Sequence, residues 1–174
     1  RAGTRAGAQV LLCSLPDAPV KDVRTENVTV VDLGAALEGG ESDALYDRKH
    51  YKFKGSYLVA RKLFEELKAV LPDSIPRHMS GKPALTLADC EARLIYTDLE
   101  RYLSAMTMLH LAADAPFVQL TAEDEARLKN EADTLRPKVD AALKGILPKY
   151  KQGTSDYPAD WRLNWKAADY AYRY

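Results

Sequence analysis

An all-α fold, an up-down-up-down four-helix bundle behind a long and mostly non-helical N-terminal arm, is predicted by three features of this 174-residue sequence. Residues 88 to 113 place Ala88, Ala92, Ile95, Leu99, Tyr102, Met106, Leu109 and Ala113 at alternating steps of four and three, one apolar stripe along a helix. Three other segments repeat that spacing. Residues 1 to 42 do not, and instead hold Pro16, Pro19, Gly34, Gly39 and Gly40 around one short β-branched run, Val28-Thr29-Val30-Val31. The division follows as an arm over 1–42 and a bundle over 43–174.

The arm carries Val10, Leu11, Leu12, Val20 and Val23, too many apolar side chains for a free linker, so parts of it should lie on a surface. The first helix starts at Tyr46, capped by Ser42 or Asp43, and runs through His50, Phe53, Tyr57, Ala60, Phe64, Leu67 and Leu71 to a stop at Pro72. Gly55 lies inside it and should weaken its first turns by about 1 kcal/mol relative to Ala. Pro72, Pro76, Gly81 and Pro83 make a stiff connection, and Thr86 caps the central helix. That helix has a second, weaker apolar strip that includes Cys90, across which the arm is expected to pack. The third helix begins at Thr121, with Glu123, Asp124 and Glu125 against its positive dipole end. Leu128, Ala132, Leu135, Val139, Ala142 and Ile146 form its stripe, Pro137 should kink it and Pro148 end it. Gln152-Gly153-Thr154-Ser155 then reads as a turn. Asp156 and Pro158 open a short last helix whose stripe is Trp161, Trp165, Ala168 and Tyr172.

Bulk composition narrows the function classes. Lys plus Arg equals Asp plus Glu at 25 each, so no global charge draws the chain to nucleic acid or an anionic membrane, and local patches must carry any electrostatic partnership. No run of 18 apolar residues is present to cross a bilayer. The first residue is Arg rather than Met. Arg, Gly, Ala and Thr dominate positions 1 to 8, as in the tail of an organelle-targeting peptide or equally an ordinary flexible terminus. Cys13 and Cys90 are too far apart for a CxxC motif, and as a possible disulfide they can pair or stay free.

Residues with chemical potential have plain structural readings. His50 falls on a helix stripe, and with His78 and His110 it forms no HxxxH, HExxH or ExxH pair, so neither a metal nor any other cofactor is expected. Glu91 and Asp98 share a helix face, where Arg101, three residues beyond Asp98, offers an ion pair. No GxSxG, Walker-type or GxGxxG stretch occurs, and no enzyme is expected. The ten tyrosines and two tryptophans outnumber the three phenylalanines, a balance suited to interfaces. Tyr46, Tyr57, Tyr102, Trp161, Trp165 and Tyr172 are assigned to the core by their spacing. Tyr51, Tyr96, Tyr150, Tyr157, Tyr170 and Tyr174 fall off the seams. The densest basic segment holds Arg48, Lys49, Lys52 and Lys54, and with Tyr51 it is the expected docking patch for an acidic protein surface.

This organisation, a proline-containing arm before four helices, resembles the PsbQ-type extrinsic subunits of photosystem II. Ala92-Arg93-Leu94-Ile95-Tyr96-Thr97-Asp98-Leu99 in the second helix is similar to that family's alternating Leu and Arg followed by Tyr, Asp and Leu. The Pro72 to Pro83 link and the Trp161/Trp165 helix depart from its pattern. The resemblance implies a non-catalytic subunit of the thylakoid lumen, bound to the protein subunits of a membrane complex that it shields or stabilises. Two alternatives are a supernumerary subunit of a mitochondrial respiratory complex, and a small-ligand carrier or enzyme with a pocket between the helices.

Overall fold

The computed structural model describes residues 8–14, 20, 26–47, 49–72, 75, 81, 83–113 and 120–173, and at 41, 42, 142 and 144 the backbone alone. Helices dominate: six of them accompany one small sheet among the described residues. Two compact units divide the chain, Arg1–Pro83 and Ala84–Tyr174, so the arm and the first long helix share a unit.

In the first unit the arm contains regular structure. Strand β1 (Val10–Ser14) pairs in parallel with β2 (Val28–Asp32), in a register running from Val10 opposite Val28 to Ser14 opposite Asp32. The apolar run at Val10, read above as surface-lying arm, is therefore a strand, paired with the β-branched run that its own valines and leucines match. Asp32 then turns the chain: its Oδ1 accepts the Ser14 hydroxyl at 3.2 Å and the Gly34 amide at 2.9 Å. A 3-10 turn (Ala35–Leu37) and the short helix α1 (Glu41–Ala44) follow, with Gly39 at a φ of 76° that favours glycine. Leu37, Ala44 and Leu45 form the buried centre of a local core.

Helix α2 spans Phe53–Val70, seven residues shorter at its start than expected. Asp47 is the cause. Its carboxylate accepts the backbone amides of Lys49 and His50, both at 2.7 Å, and thereby offers the chain a turn in place of a helix. A bridge between Leu45 and Tyr51 closes that turn. The face that α2 buries also differs from the expected stripe. Gly55, Leu58 and Val59 face the local core, whereas Phe64 and Leu67 stand exposed. Gly55 sets this phase, because a Cβ there would lie 2.1 Å from the Ala44 carbonyl oxygen, which itself accepts the Lys52 amide at 2.8 Å.

The second unit comprises α3 (Leu87–Arg93), α4 (Asp98–Ala113), α5 (Ala122–Asp156) and α6 (Trp161–Arg173). Thr86 and Thr121 cap α3 and α5 as their sequence context predicts, each in a reciprocal box with the aspartate three residues on, Asp89 and Asp124. The expected single helix over 88–113 is broken. After Arg93 the amide of Tyr96 bonds to the Glu91 carbonyl and that of Ile95 to Ala92, the paired bonds of a Schellman ending. Ile95 takes the left-handed position at φ 51°, where glycine is usual.

Helix α5 keeps its predicted stripe and exceeds its predicted length. Leu128, Ala132, Leu135, Val139 and Ile146 are buried, and the helix runs through Pro137 and Pro148 to Asp156. Both prolines sit on the exposed side, where water can satisfy the carbonyls they leave unbonded. The segment 152–155 is thus helical, and Gly153 serves packing: a Cβ there would meet Ile95 at 2.7 Å and Leu163 at 3.1 Å. Helix α6 starts after Asp160, whose Oδ1 takes the amides of Arg162 and Leu163. Contacts Leu163–Gly153 and Tyr170–Leu143 make α6 antiparallel to α5, and Ile95–Gly153 with Glu100–Tyr150 do the same for α4. The core they enclose gathers Ile95, Leu99, Val139, Ile146, Tyr150, Leu163 and Tyr170.

Two glycine-to-alanine substitutions should have opposite signs. Gly145 has open space where its Cβ would be, so Gly145→Ala in α5 should stabilise the protein by about 0.5–1 kcal/mol through helix propensity. Gly55→Ala should destabilise by about 1–3 kcal/mol, since the backbone must move off the Ala44 carbonyl. Thermal or urea unfolding of both variants checks the contrast.

Candidate functional site

Four groups of polar or aromatic side chains were candidates for chemistry or docking, and the structure gives each a specific environment. In the basic segment, Arg48 lies outside the described residues. Lys49 is exposed, Lys54 pairs with Asp43 at 3.4 Å, and Lys52 lies 5.7 Å from the Tyr46 ring centre. Tyr51 packs against the Leu37 core and bridges to Leu45, which makes it part of the turn. Asp47 is buried beneath this segment and meets His50 Nδ1 at 2.7 Å. Burial opposes its ionisation, but the His50 ring and two backbone amides outweigh burial and hold the carboxyl below its usual range. The patch is less basic than its composition suggests, because Asp43 and Asp47 sit within it.

The carboxylates Glu91 and Asp98 do converge, and on Arg101. Its guanidinium reaches Glu91 at 2.8 Å and Asp98 at 3.2 Å, and lies 5.5 Å from the Tyr96 ring centre. Arg101 thus ties α3 to α4 across the break. Both carboxylates are engaged in that bridge, which is a structural role and leaves no free acid–base pair between them.

A polar group that the sequence reading missed lies deeper. The Tyr150 hydroxyl donates to Glu100, whose other oxygen accepts Lys166 Nζ at 2.9 Å. Tyr170 stacks against Tyr150 with ring centres 5.6 Å apart and donates to the Leu143 carbonyl at 2.6 Å. Burial and the adjacent Glu100 carboxylate push the Tyr150 hydroxyl far above the ordinary phenol range. The signal was in the sequence. Ile146, Tyr150 and Gly153 continue the α5 repeat by steps of four and three once Pro148 is not taken as a stop.

The aromatic assignments divide: Tyr46 is buried and Tyr102 packs against the core as expected, while others change places. Tyr150 and Tyr170, assigned off the seams, are core residues, while Trp161, Trp165 and Tyr172 are 70%, 62% and 90% exposed. Two apolar repeats compete in α6, and Leu163, Ala167 and Tyr170 win, because Leu163 fits over Gly153 and Tyr170 finds a buried carbonyl. Arg162 lies 5.3 Å from the Trp161 ring centre, and at the same end Arg93 lies 4.5 Å from that of Tyr157.

Cys13 in β1 and Cys90 in α3 are free thiols in this structure. They fall in different units. Among the described residues no three His, Cys, Asp or Glu side chains gather as a metal site. An open groove of about 690 Å³ in the first unit is lined by Gln9, Leu11, Leu67, Val70, Leu71 and Pro72, none of them titratable. His78 and Tyr174 lie outside the described residues.

Two of the perturbed groups act on opposite limbs of a stability–pH curve. Tyr150 has a folded-state pKa above its unfolded value of about 10, so its contribution is complete below pH 10 and is lost as pH rises. Tyr150→Phe should cost about 1.5–3 kcal/mol at pH 7, a difference that narrows above pH 10. Asp47 has a lowered pKa, so its contribution is present above about pH 4 and lost as pH falls; Asp47→Asn should flatten that acid limb. Urea unfolding across the pH range reads both.

Comparison of the chain with protein-family models, with curated proteins and with solved structures finds no match in any of the three.

Proposed function

We propose that this chain is a non-catalytic accessory subunit, similar to the PsbQ-type extrinsic proteins, that docks on and stabilises a photosynthetic membrane complex from the thylakoid lumen. The observation that carries the reading is the way polar side chains are engaged with one another. Glu100 is held by Tyr150 and Lys166, Glu91 and Asp98 by Arg101, and Asp47 by His50. Exposed beside these engaged groups are side chains suited to contact, Lys49 and large aromatic residues among them. No helix among the described residues is long and apolar enough to cross a membrane, in keeping with attachment from outside.

The four-helix bundle belongs to this reading. Four segments carry helical repeats, and the last three helices of the chain share one core. The short likeness at Ala92 to Leu99 also supports it, although that segment forms the turn between α3 and α4 and not the interior of one helix.

The test is cofractionation of the tagged full chain with thylakoid or mitochondrial inner-membrane complexes, followed by mass spectrometry of the subunits that accompany it. Comigration with a photosystem supports the reading; comigration with a respiratory complex, or with neither, overturns it. Attachment should combine electrostatic and apolar contributions. Raising salt from about 0.15 M to 1 M shortens the Debye length from about 8 Å to about 3 Å and weakens only the former. Lys49→Glu should therefore reduce binding about two- to fivefold at low salt, with the difference vanishing at high salt. An unchanged affinity at low salt would show that Lys49 is a solvated side chain only.

A further inference from the structure

We propose that the outer face of α6 is a membrane-contact surface, on which Trp161, Trp165 and Tyr172 enter the headgroup region of an anionic bilayer with Arg162 beside them. The inner face of α6 is committed to the core through Leu163 and Tyr170, so the helix cannot roll to hide its aromatic side chains. At 100° per residue, positions 161, 165 and 172 fall within about 40° of one another, and Ala168 joins them. The row contains no Leu, Ile, Val or Phe. Trp and Tyr, with an apolar ring and a polar tip, concentrate at the depth of bilayer headgroups.

Two further observations favour a bilayer over a protein partner. The three rings form a narrow row along one helix and not a broad, shaped patch. A bilayer needs no matching shape and accepts them one by one. The charge is also complementary. The carboxylates beside this face are engaged, Asp160 with the amides of Arg162 and Leu163 and Asp169 with Arg173 at 2.9 Å, while Arg162 has no carboxylate partner among the described residues and lies along Trp161. A guanidinium held on a ring next to the aromatic row suits lipid phosphate.

Trp161 and Trp165 are the only tryptophans in the chain, so selectively excited tryptophan emission reports this face alone. The full chain should be mixed with vesicles of phosphatidylcholine alone and of phosphatidylcholine containing phosphatidylglycerol, and followed by flotation and by tryptophan emission. Expected are flotation with the anionic vesicles, a blue shift of the emission, and weaker binding to the neutral ones. The Trp161→Gln/Trp165→Gln variant, whose substituted side chains are mostly solvent-exposed, should keep its circular dichroism and lose roughly tenfold or more in vesicle affinity. Arg162→Gln should lose the preference for anionic lipid and keep the blue shift. Absence of flotation and of any blue shift overturns the proposal and leaves the face to a protein partner, as does equal binding by the double variant. Vesicles contain no protein, so this result is independent of which complex the chain joins.

Discussion

The second unit depends on the missing side chain at Gly153. Two residues from different parts of the chain converge there, Ile95 at the turn before α4 and Leu163 in the first turn of α6, and a methyl group would meet both. Ile95 reaches that position only by adopting a left-handed backbone, which costs an L-residue roughly 1–2 kcal/mol. Burial offsets this, since enclosing an isoleucine side chain contributes about 1.5–3 kcal/mol, and Ile95 is only 6% exposed. The Schellman bonds at the end of α3 and the Arg101 bridge to Glu91 and Asp98 hold the same turn from outside. Helix start, helix end and core contact are therefore one linked device, in which the position of Gly153 decides the phase of α6.

What could be read from the sequence was what local chemistry decides. The caps at Thr86 and Thr121 each need only a side-chain oxygen and a carboxylate three residues on, and both occur as boxes. The α5 stripe was legible because Leu128, Ala132, Leu135, Val139 and Ile146 are all buried at one helical spacing. The failures have a common physical origin. Position 95 was read as helix interior because an isoleucine at positive φ has no local signal; only its seat over Gly153 explains it. Pro148 reads as a stop because the exposure of its side of the helix, which makes the lost bond tolerable, is a tertiary property.

The candidate site was misread for a related reason. Spacing identifies a stripe but does not say which of two overlapping stripes faces inward, and α6 carries both an aromatic one and a mixed one. Size alone favours burying tryptophans. Tyr170 reverses this preference, because its hydroxyl can donate to the Leu143 carbonyl while its ring packs on Tyr150, so one residue satisfies both a polar and an apolar requirement. Charge counting in the first unit meets a similar limit. The run of lysines gives its local charge only when Asp43 and Asp47, just before it in the sequence and held by Lys54 and His50, are counted with it.

These choices connect stability with availability. A tyrosine inside with its hydroxyl bonded rigidifies the core; a tryptophan outside leaves a large apolar surface in water at every moment the protein is unbound. Such exposure opposes solubility and invites association, and a fold tolerates it where other interactions already hold the helix in place. In α6 those interactions are identified: Leu163 over Gly153, Tyr170 on Leu143 and Lys166 on Glu100 anchor it at three points along its inner side. The aromatic row contributes little to that anchoring. It follows that the outer face can vary in sequence with small effect on folding, whereas the inner face cannot. The separation of the two faces of one helix, one set by packing and one free for contact, is what allows this unit to present a fixed aromatic surface.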